Sequence, residues 1–302
     1  MTDDHTPEEL STINERTPAS WLGLYVRGLA MGVAELIPGV SGGTIAFVSG
    51  IYDEFLTSLA GLRPQALQVL FSSGLVTFWR QTNLNFLLVL AAGMATSVFL
   101  LAHMLSVWLE TYPPVLWGFF FGLIAASVIS LSRGLGYLHL VWVMAGLLVG
   151  IAMSWLSPGE QVLPPWGYFV GGMLAITAWM LPAVSGSYVL VLLGLYGSVL
   201  TAIAEFDWVI LSLLGAGMIT GLLVFSRGLA WLMKHFERSL IALLSGLLAG
   251  SLVRIWPWRS EDLLLLPDSY TLTSGLPAYE MATIVSICMG AVCVVLLAKM
   301  EK

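Results

Sequence analysis

Glu35-Leu36-Ile37-Pro38-Gly39-Val40-Ser41-Gly42-Gly43-Thr44 is the stretch on which the reading of this chain turns. Apolar sequence runs up to it and away from it, yet it holds a proline, three glycines and two hydroxyls. Proline lacks the N–H that a helix needs, and glycine loses more backbone entropy there than any other residue. The chain is expected to break here, inside what otherwise reads as membrane. Irregular backbone at that depth is tolerated only where protein buries it or where it lines a polar cavity. A second copy follows at Trp179-Met180-Leu181-Pro182-Ala183-Val184-Ser185-Gly186-Ser187-Tyr188. Two Gly/Pro-broken apolar segments in matching places of two halves are the best sequence pointer to a transporter's binding site.

Composition sets the class. Apolar residues are 58% of the chain and charged ones 10%, with a mean hydropathy of +0.90. Apolar runs of about 20 residues, enough to cross a bilayer, recur along its length. The expected fold is all-α and polytopic. Most carboxylates behind the net charge of −6 lie in the tail and loops, and no basic face suited to nucleic acid is present. Cys288 and Cys293 are five apart in one apolar helix, which faces them apart and argues against a disulfide or a metal site. The four histidines are scattered, and neither a metal nor an organic cofactor is expected. Nothing here specifies an oligomeric state.

Residues 1–20 are polar and acidic and read as a cytoplasmic tail, not a cleavable signal. The first repeat, 21–156, begins with a hairpin over 21–60. Its arms are Trp21–Ile37 and Thr44–Ala60, each at the lower limit for a spanning helix. A re-entrant hairpin and two tight spans both fit. The stretch 61–83 reads as a loop with room for an interfacial helix, and spans are expected at 84–109, 114–132 and 137–156. The second repeat, 157–302, has a linker, a hairpin over 166–204 with arms Trp166–Leu181 and Tyr188–Ala204, and spans at 208–232, 239–256 and 279–298. Pro38, Val40, Ser41, Gly42, Gly50, Tyr52 and Leu56 align with Pro182, Val184, Ser185, Gly186, Gly194, Tyr196 and Leu200 at one offset of 144. Ala92-Gly93-Met94 aligns with Ala216-Gly217-Met218, and Gly122-Leu123-Ile124-Ala125 with Gly246-Leu247-Leu248-Ala249, both at an offset of 124. A returning hairpin plus three spans crosses an odd number of times, so the second repeat enters from the opposite side. That is an inverted repeat. Arg63, Arg80, Arg133, Lys234 and Arg238 then share the side of the tail, and both termini are expected in the cytoplasm.

The two apices supply the candidate site. Each second arm begins at a Ser-Gly-Gly or Ser-Gly-Ser step, so its first N–H groups are expected bare and turned toward the break. A helix N-terminus carries about half a positive charge and favours anions. Gly39, Ser41, Gly42, Gly43 and Thr44 in one motif, and Ser185, Gly186 and Ser187 in the other, therefore read as a phosphate or carboxylate site. The plainer reading is that small residues allow close helix packing. Arg27 and Glu35 lie eight residues apart on one face of the first arm, and their counterparts are Gly171 and Trp179. Arg27 either grips an anionic head group or snorkels to the interface. Glu35 either carries a coupling proton or cation or satisfies N–H groups at the apex. Asp53 is a second coupling candidate, against an interfacial, solvated placement.

Glu35 to Thr44, followed by Gly50-Ile51-Tyr52-Asp53, resembles the signature of the bacterial PopT family of polyprenyl-phosphate transporters, once catalogued as a domain of unknown function. The resemblance runs over most of 21–298, with Ala183 and Ser187 in the second motif where the first has Gly39 and Gly43. It implies return of undecaprenyl phosphate, the lipid carrier of cell-wall synthesis, from the outer to the inner leaflet of the cytoplasmic membrane. The inverted repeat read above suits alternating access, with an H+ or Na+ gradient as the candidate driving force.

Two other readings remain open at this level. One is a membrane phosphatase acting on lipid pyrophosphate, for which neither Ser41 nor Ser185 has an Arg or His in its motif. The other is an ion-coupled importer of a small soluble anion.

Overall fold

A computed structural model describes residues 17–35, 41–62, 64–155, 164–182, 184–260 and 263–299. The chain is helical almost throughout. The first half contains α1 (Pro18–Glu35), α2 (Gly42–Val48), α3 (Tyr52–Gly61), α4 (Pro64–Ser73), α5 (Leu75–Gln81), α6 (Leu84–Thr111), α7 (Pro113–Ser132) and α8 (Leu140–Ser154). The second half contains α9 (Trp166–Met180), α10 (Gly186–Leu192), α11 (Tyr196–Glu205), α12 (Trp208–Ser251), α13 (Pro267–Ser274) and α14 (Glu280–Lys299). A two-stranded ribbon, β1 (Arg259–Ser260) with β2 (Leu263–Leu264), precedes α13.

Among the described residues, three helices are long and apolar enough to cross a membrane: Leu84–Leu101, Pro113–Ser132 and Trp208–Ser251. The bent pair Gly186–Leu192 and Tyr196–Ile203 would make a fourth, and Tyr137–Met153 and Glu280–Leu296 are shorter apolar helices. Phe99, Ile129, Val141, Leu148, Ile219, Val224, Met281 and Val292 all stand exposed. That is the outer surface of a protein whose solvent is lipid.

Three expectations change. The second hairpin arms are not single helices: Gly50 at φ +72° ends α2, and Gly194 at φ +70° ends α10. A left-handed glycine stops a helix without steric cost, and the second pair is bent there by 113°. The expected loop 61–83 holds two short helices separated by Gly74, at φ +84°. The turn expected between spans 208–232 and 239–256 shrinks to one residue, Phe236, at φ −135° and ψ 34°. Forty-four unbroken helical residues would reach about 66 Å, against a hydrocarbon core of about 30 Å. The break at Phe236 divides that length. Tyr112, which separates α6 from α7, has almost the same backbone angles, φ −131° and ψ 46°.

Glycines close four helix pairs by letting backbones touch. A Cβ on Gly28 would overlap the Leu90 carbonyl oxygen, and one on Gly32 would lie 2.5 Å from that of Met94. The numbers rise together, so α1 and α6 run parallel. Gly172 meets the Leu214 carbonyl and Gly221 that of Met173, which makes α9 parallel to the first part of α12. Gly118 meets Thr283 and Gly122 meets Ile287, pairing α7 with α14. Gly146 meets Leu243 and Gly150 meets Leu247, pairing α8 with the last part of α12. The last two pairs each join the first half of the chain to the second.

Candidate functional site

The first hairpin is closed at both ends by side chains of α1. The Glu35 carboxylate accepts the Gly42 N–H at 2.6 Å. Seven residues further along the returning helix, the Arg27 guanidinium donates through Nε to the Ser49 carbonyl at 3.3 Å. These two contacts fix α1 and α2 as an antiparallel pair. A Cβ at position 42 would lie 2.8 Å from the Glu35 carboxylate oxygen, so a larger residue there would push that carboxylate aside.

Arg27 is buried within the protein. It is 9% exposed, and among the described residues no other group hydrogen-bonds its guanidinium beyond that single Nε contact. Burying a charge without full pairing is expensive. The two terminal nitrogens form the fork that suits a phosphate or carboxylate.

The first motif is not bare. Ser41 caps α2, its Oγ accepting the Gly43 N–H at 3.2 Å. The Thr44 N–H donates to the Ser41 carbonyl at 2.9 Å. With Gly42 held by Glu35, the chain's own groups occupy the amides that the sequence left open. Ser41 and Thr44 are fully buried, and α2 is only seven residues long. Gly39 lies outside the described residues.

Trp179, the sequence counterpart of Glu35, joins the two breaks. Its carbonyl accepts from Ser41 Oγ at 3.4 Å, and its side chain donates to the Glu35 carboxylate. Gly43 lies against the Trp179, Met180 and Leu181 carbonyls, where an added Cβ would come within 2.8 to 3.4 Å. From the other motif, a Cβ on Gly186 would lie 3.3 Å from Trp179 Cβ. The Tyr52 hydroxyl donates to the Met180 carbonyl at 2.9 Å, and the Phe55 ring meets the Trp179 ring edge-on at 5.6 Å. Ser41 and Gly186 thus flank the same tryptophan.

The second motif is built differently. Ser185 precedes α10 without a side-chain cap, and its Oγ pairs with Ser187 Oγ at 2.8 Å. Ser185 and Gly186 are buried, and Ser187 is exposed. Opposite Gly171, the counterpart of Arg27, the side chains of Leu195, Leu190 and Leu193 fill the space. The first half carries an arginine at that position and the second a glycine.

Asp53 is exposed at the start of α3, within electrostatic reach of Glu237 on α12. It does not join Arg27 and Glu35. Among the described residues no group of three His, Cys, Asp or Glu is placed to hold a metal ion. Cys288 and Cys293 are both free thiols.

Sequence reasoning assigned no role to Trp179 or Tyr52. The signal for Trp179 was its alignment with Glu35 at the offset of 144. Tyr52 had only its alignment with Tyr196, which is 39% exposed against 2% for Tyr52.

Comparison with known proteins adds a family. Residues 31–269 match the model of a family described as undecaprenyl phosphate translocase-like. A polyprenyl-phosphate transporter of Vibrio cholerae serotype O1 is 40% identical over 243 residues, which is 80% of this chain and 79% of that one. A polyprenyl-phosphate transporter of Staphylococcus aureus is 29% identical over 293 residues, covering 90% and 96% of the two chains. No solved structure matches.

Proposed function

The chain belongs to the undecaprenyl phosphate translocase-like family, and from that membership and the geometry around Trp179 we propose that it carries polyprenyl phosphate across the bacterial cytoplasmic membrane. The family and its relatives are transporters by name, not enzymes. The direction in this proposal is outer to inner leaflet, with undecaprenyl phosphate as substrate and alternating access as the route.

The observation that carries the proposal is the meeting of the two breaks at Trp179. The register of the glycine contacts supports an inverted repeat. Gly28–Leu90 corresponds to Gly172–Leu214, and Gly122–Ile287 corresponds to Gly246–Val143, at the offsets of 144 and 124. In the proposed topology α9 begins on the side where α8 ends; α8 runs parallel to the last part of α12. The parallel pairs then place α1 and α9 in opposite senses. In this arrangement both hairpins are re-entrant, both termini are cytoplasmic, and the breaks meet within the bilayer.

The phosphate would meet these groups in turn along its path: Ser185, Gly186 and Ser187 at one break, Ser41, Thr44 and the amides of Gly42 and Gly43 at the other, and the fork of Arg27 at the far end of α2, about 10 Å from Gly42. Gly39 stays in the proposed set through its place in the motif. Glu35 already sits on the Gly42 amide as an anion of this chain. Protonation of that carboxylate would weaken its hold and open the amide to the substrate phosphate, which ties proton movement to lipid movement. Glu35 is the better of the two coupling candidates, because Asp53 faces outward. The prenyl chain would stay in lipid.

The test is purified protein in liposomes with polyprenyl phosphate labelled in one leaflet. Protein-dependent exchange between leaflets, lost in Arg27→Gln, is the expected result. An unchanged leaflet distribution in the presence of the wild-type protein would sink the proposal.

A further inference from the structure

The second motif carries a cation that its own sequence lacks. Arg254 sits in the hydrogen-bonded turn that follows α12, its N–H bonded to the Ser251 carbonyl at 2.9 Å. The next residue, Ile255, is fully buried, and Arg259 Nη1 donates to the Arg254 carbonyl at 3.3 Å. The turn is therefore anchored on both sides. From it the guanidinium lies over the Tyr188 ring, 3.7 Å from Cζ to the centroid. Tyr188 is itself fixed by its hydroxyl, which donates to the Met153 carbonyl at 3.3 Å. It stands three residues after Ser185, on the same side of α10.

Stacking on an aromatic face orients a guanidinium and leaves its N–H edges pointing outward. Among the described residues no acceptor hydrogen-bonds the Arg254 guanidinium, and the side chain is half-buried. Its counterpart in the first half is Ser130, just as the counterpart of Arg27 is Gly171. The two cations are not related by the repeat. Arg27 lies beside α2, beyond the first break, and Arg254 beside α10, beyond the second. Since α2 and α10 leave the meeting point in opposite senses in the proposed arrangement, the two arginines stand on opposite sides of it.

We infer that Arg254, with Tyr188 as its platform and Ser185 and Ser187 beside it, is the first binding site for a phosphate monoester arriving from the face opposite Arg27. On the proposed topology that face is the outer one. The inference rests on the transport reading above and assigns the entry step within it. A phosphate would meet Arg254 first, cross the paired breaks at Trp179 and leave past Arg27.

The experiment uses the full chain in liposomes, with labelled polyprenyl phosphate supplied to one face at a time. Arg254→Gln should raise the half-saturating lipid concentration about tenfold or more from the Arg254 face, as expected for loss of a paired, charge-assisted contact. From the Arg27 face the half-saturating value should stay within about twofold. Arg254→Lys should recover part of the loss, and Tyr188→Leu, which keeps the charge but removes its platform, should fall between. Inorganic phosphate should not compete; equal competition would make this a free-anion site and overturn the lipid assignment. Equal effects of Arg254→Gln from both faces, or none, would overturn the inference while wild-type transport stands. Absence of wild-type transport would instead remove the reading beneath it.

Discussion

Replacing Glu35 separates two jobs that one carboxylate is proposed to do. Its Oε1 holds the Gly42 N–H at 2.6 Å inside the junction of the two motifs, with Trp179 as a second donor. A hydrogen bond to a charged acceptor contributes about 1.5–3 kcal/mol, and a buried N–H left without a partner costs about 1–3 kcal/mol. Glu35→Ala removes the acceptor and leaves the amide stranded, for a loss of about 2–4 kcal/mol. Glu35→Gln keeps a carbonyl oxygen at nearly the same place. It exchanges a charge-assisted bond for a neutral one of about half the strength, a loss of about 1 kcal/mol. Thermal unfolding in detergent should therefore rank wild type, Gln and Ala, with the larger step between Gln and Ala. Transport should divide the variants differently. With labelled polyprenyl phosphate in liposomes, an imposed pH gradient should change the wild-type rate and leave both variants at one rate, with or without the gradient. A Gln variant that follows the gradient like wild type would refute the coupling role. An Ala variant as stable as wild type would refute the capping role.

The other predictions concern single contacts. Gly43→Ala would push a methyl against the Trp179 and Met180 carbonyls, at 2.8 and 3.2 Å, and should slow transport at least tenfold with a destabilisation of about 1–3 kcal/mol. Gly197→Ala meets nothing within 4 Å and should keep transport while gaining up to about 1 kcal/mol from helix propensity; similar behaviour of the two would count against a tight junction. Tyr52→Phe strands the buried Met180 carbonyl and should lower the thermal midpoint by the equivalent of about 1–2 kcal/mol, measured in the same detergent assay. Asp53→Asn should leave the response to the pH gradient intact, because Asp53 is exposed beside Glu237.

Much of this was legible because membrane sequence is plain where it is apolar. The break after Glu35 announced itself by proline and glycine, and its second copy by a fixed offset. The ends of α2 and α10 were not, although Gly50-Ile51-Tyr52 and Gly194-Leu195-Tyr196 aligned. Glycine inside an apolar helix usually marks close packing, and nothing local tells that use from a left-handed turn. The corner at Phe236 was hidden in the same way. Lys234, His235, Glu237 and Arg238 looked like a turn, yet all of them tolerate helix, so the hydrogen-bond ladder continues on both sides of a single residue. At the site, sequence named Glu35 and Gly42 separately, with both a coupling and a capping role open for Glu35. Only coordinates join a carboxylate to an amide seven residues away across a break. Arg254 was out of reach, because its meeting with Tyr188 depends on how α12 ends relative to α10.

The swapped helix pairs limit which bodies can move. If each half of the sequence rocked as one unit, α7 would have to part from α14, and α8 from the last part of α12. Those are the contacts where Gly122 touches Ile287 and Gly246 touches Val143 through their backbones. Small residues at such crossings leave no flexible side chain to take up a slide. The moving parts are better sought in α3 and α11, each joined to its hairpin at a left-handed glycine, while α1 and α9 stay held by α6 and the first part of α12. The same pairing makes the halves dependent on each other. Residues 1–156 expressed alone would leave α7 and α8 without their partners, with glycine-lined faces exposed to lipid. That half should fail to give a monodisperse, protease-resistant species in detergent. Co-expression with 157–302 should restore one, with the two pieces purifying together. A first half that is stable alone would mean that the cross-half pairs are incidental, and rocking of the halves would then return as the simpler motion.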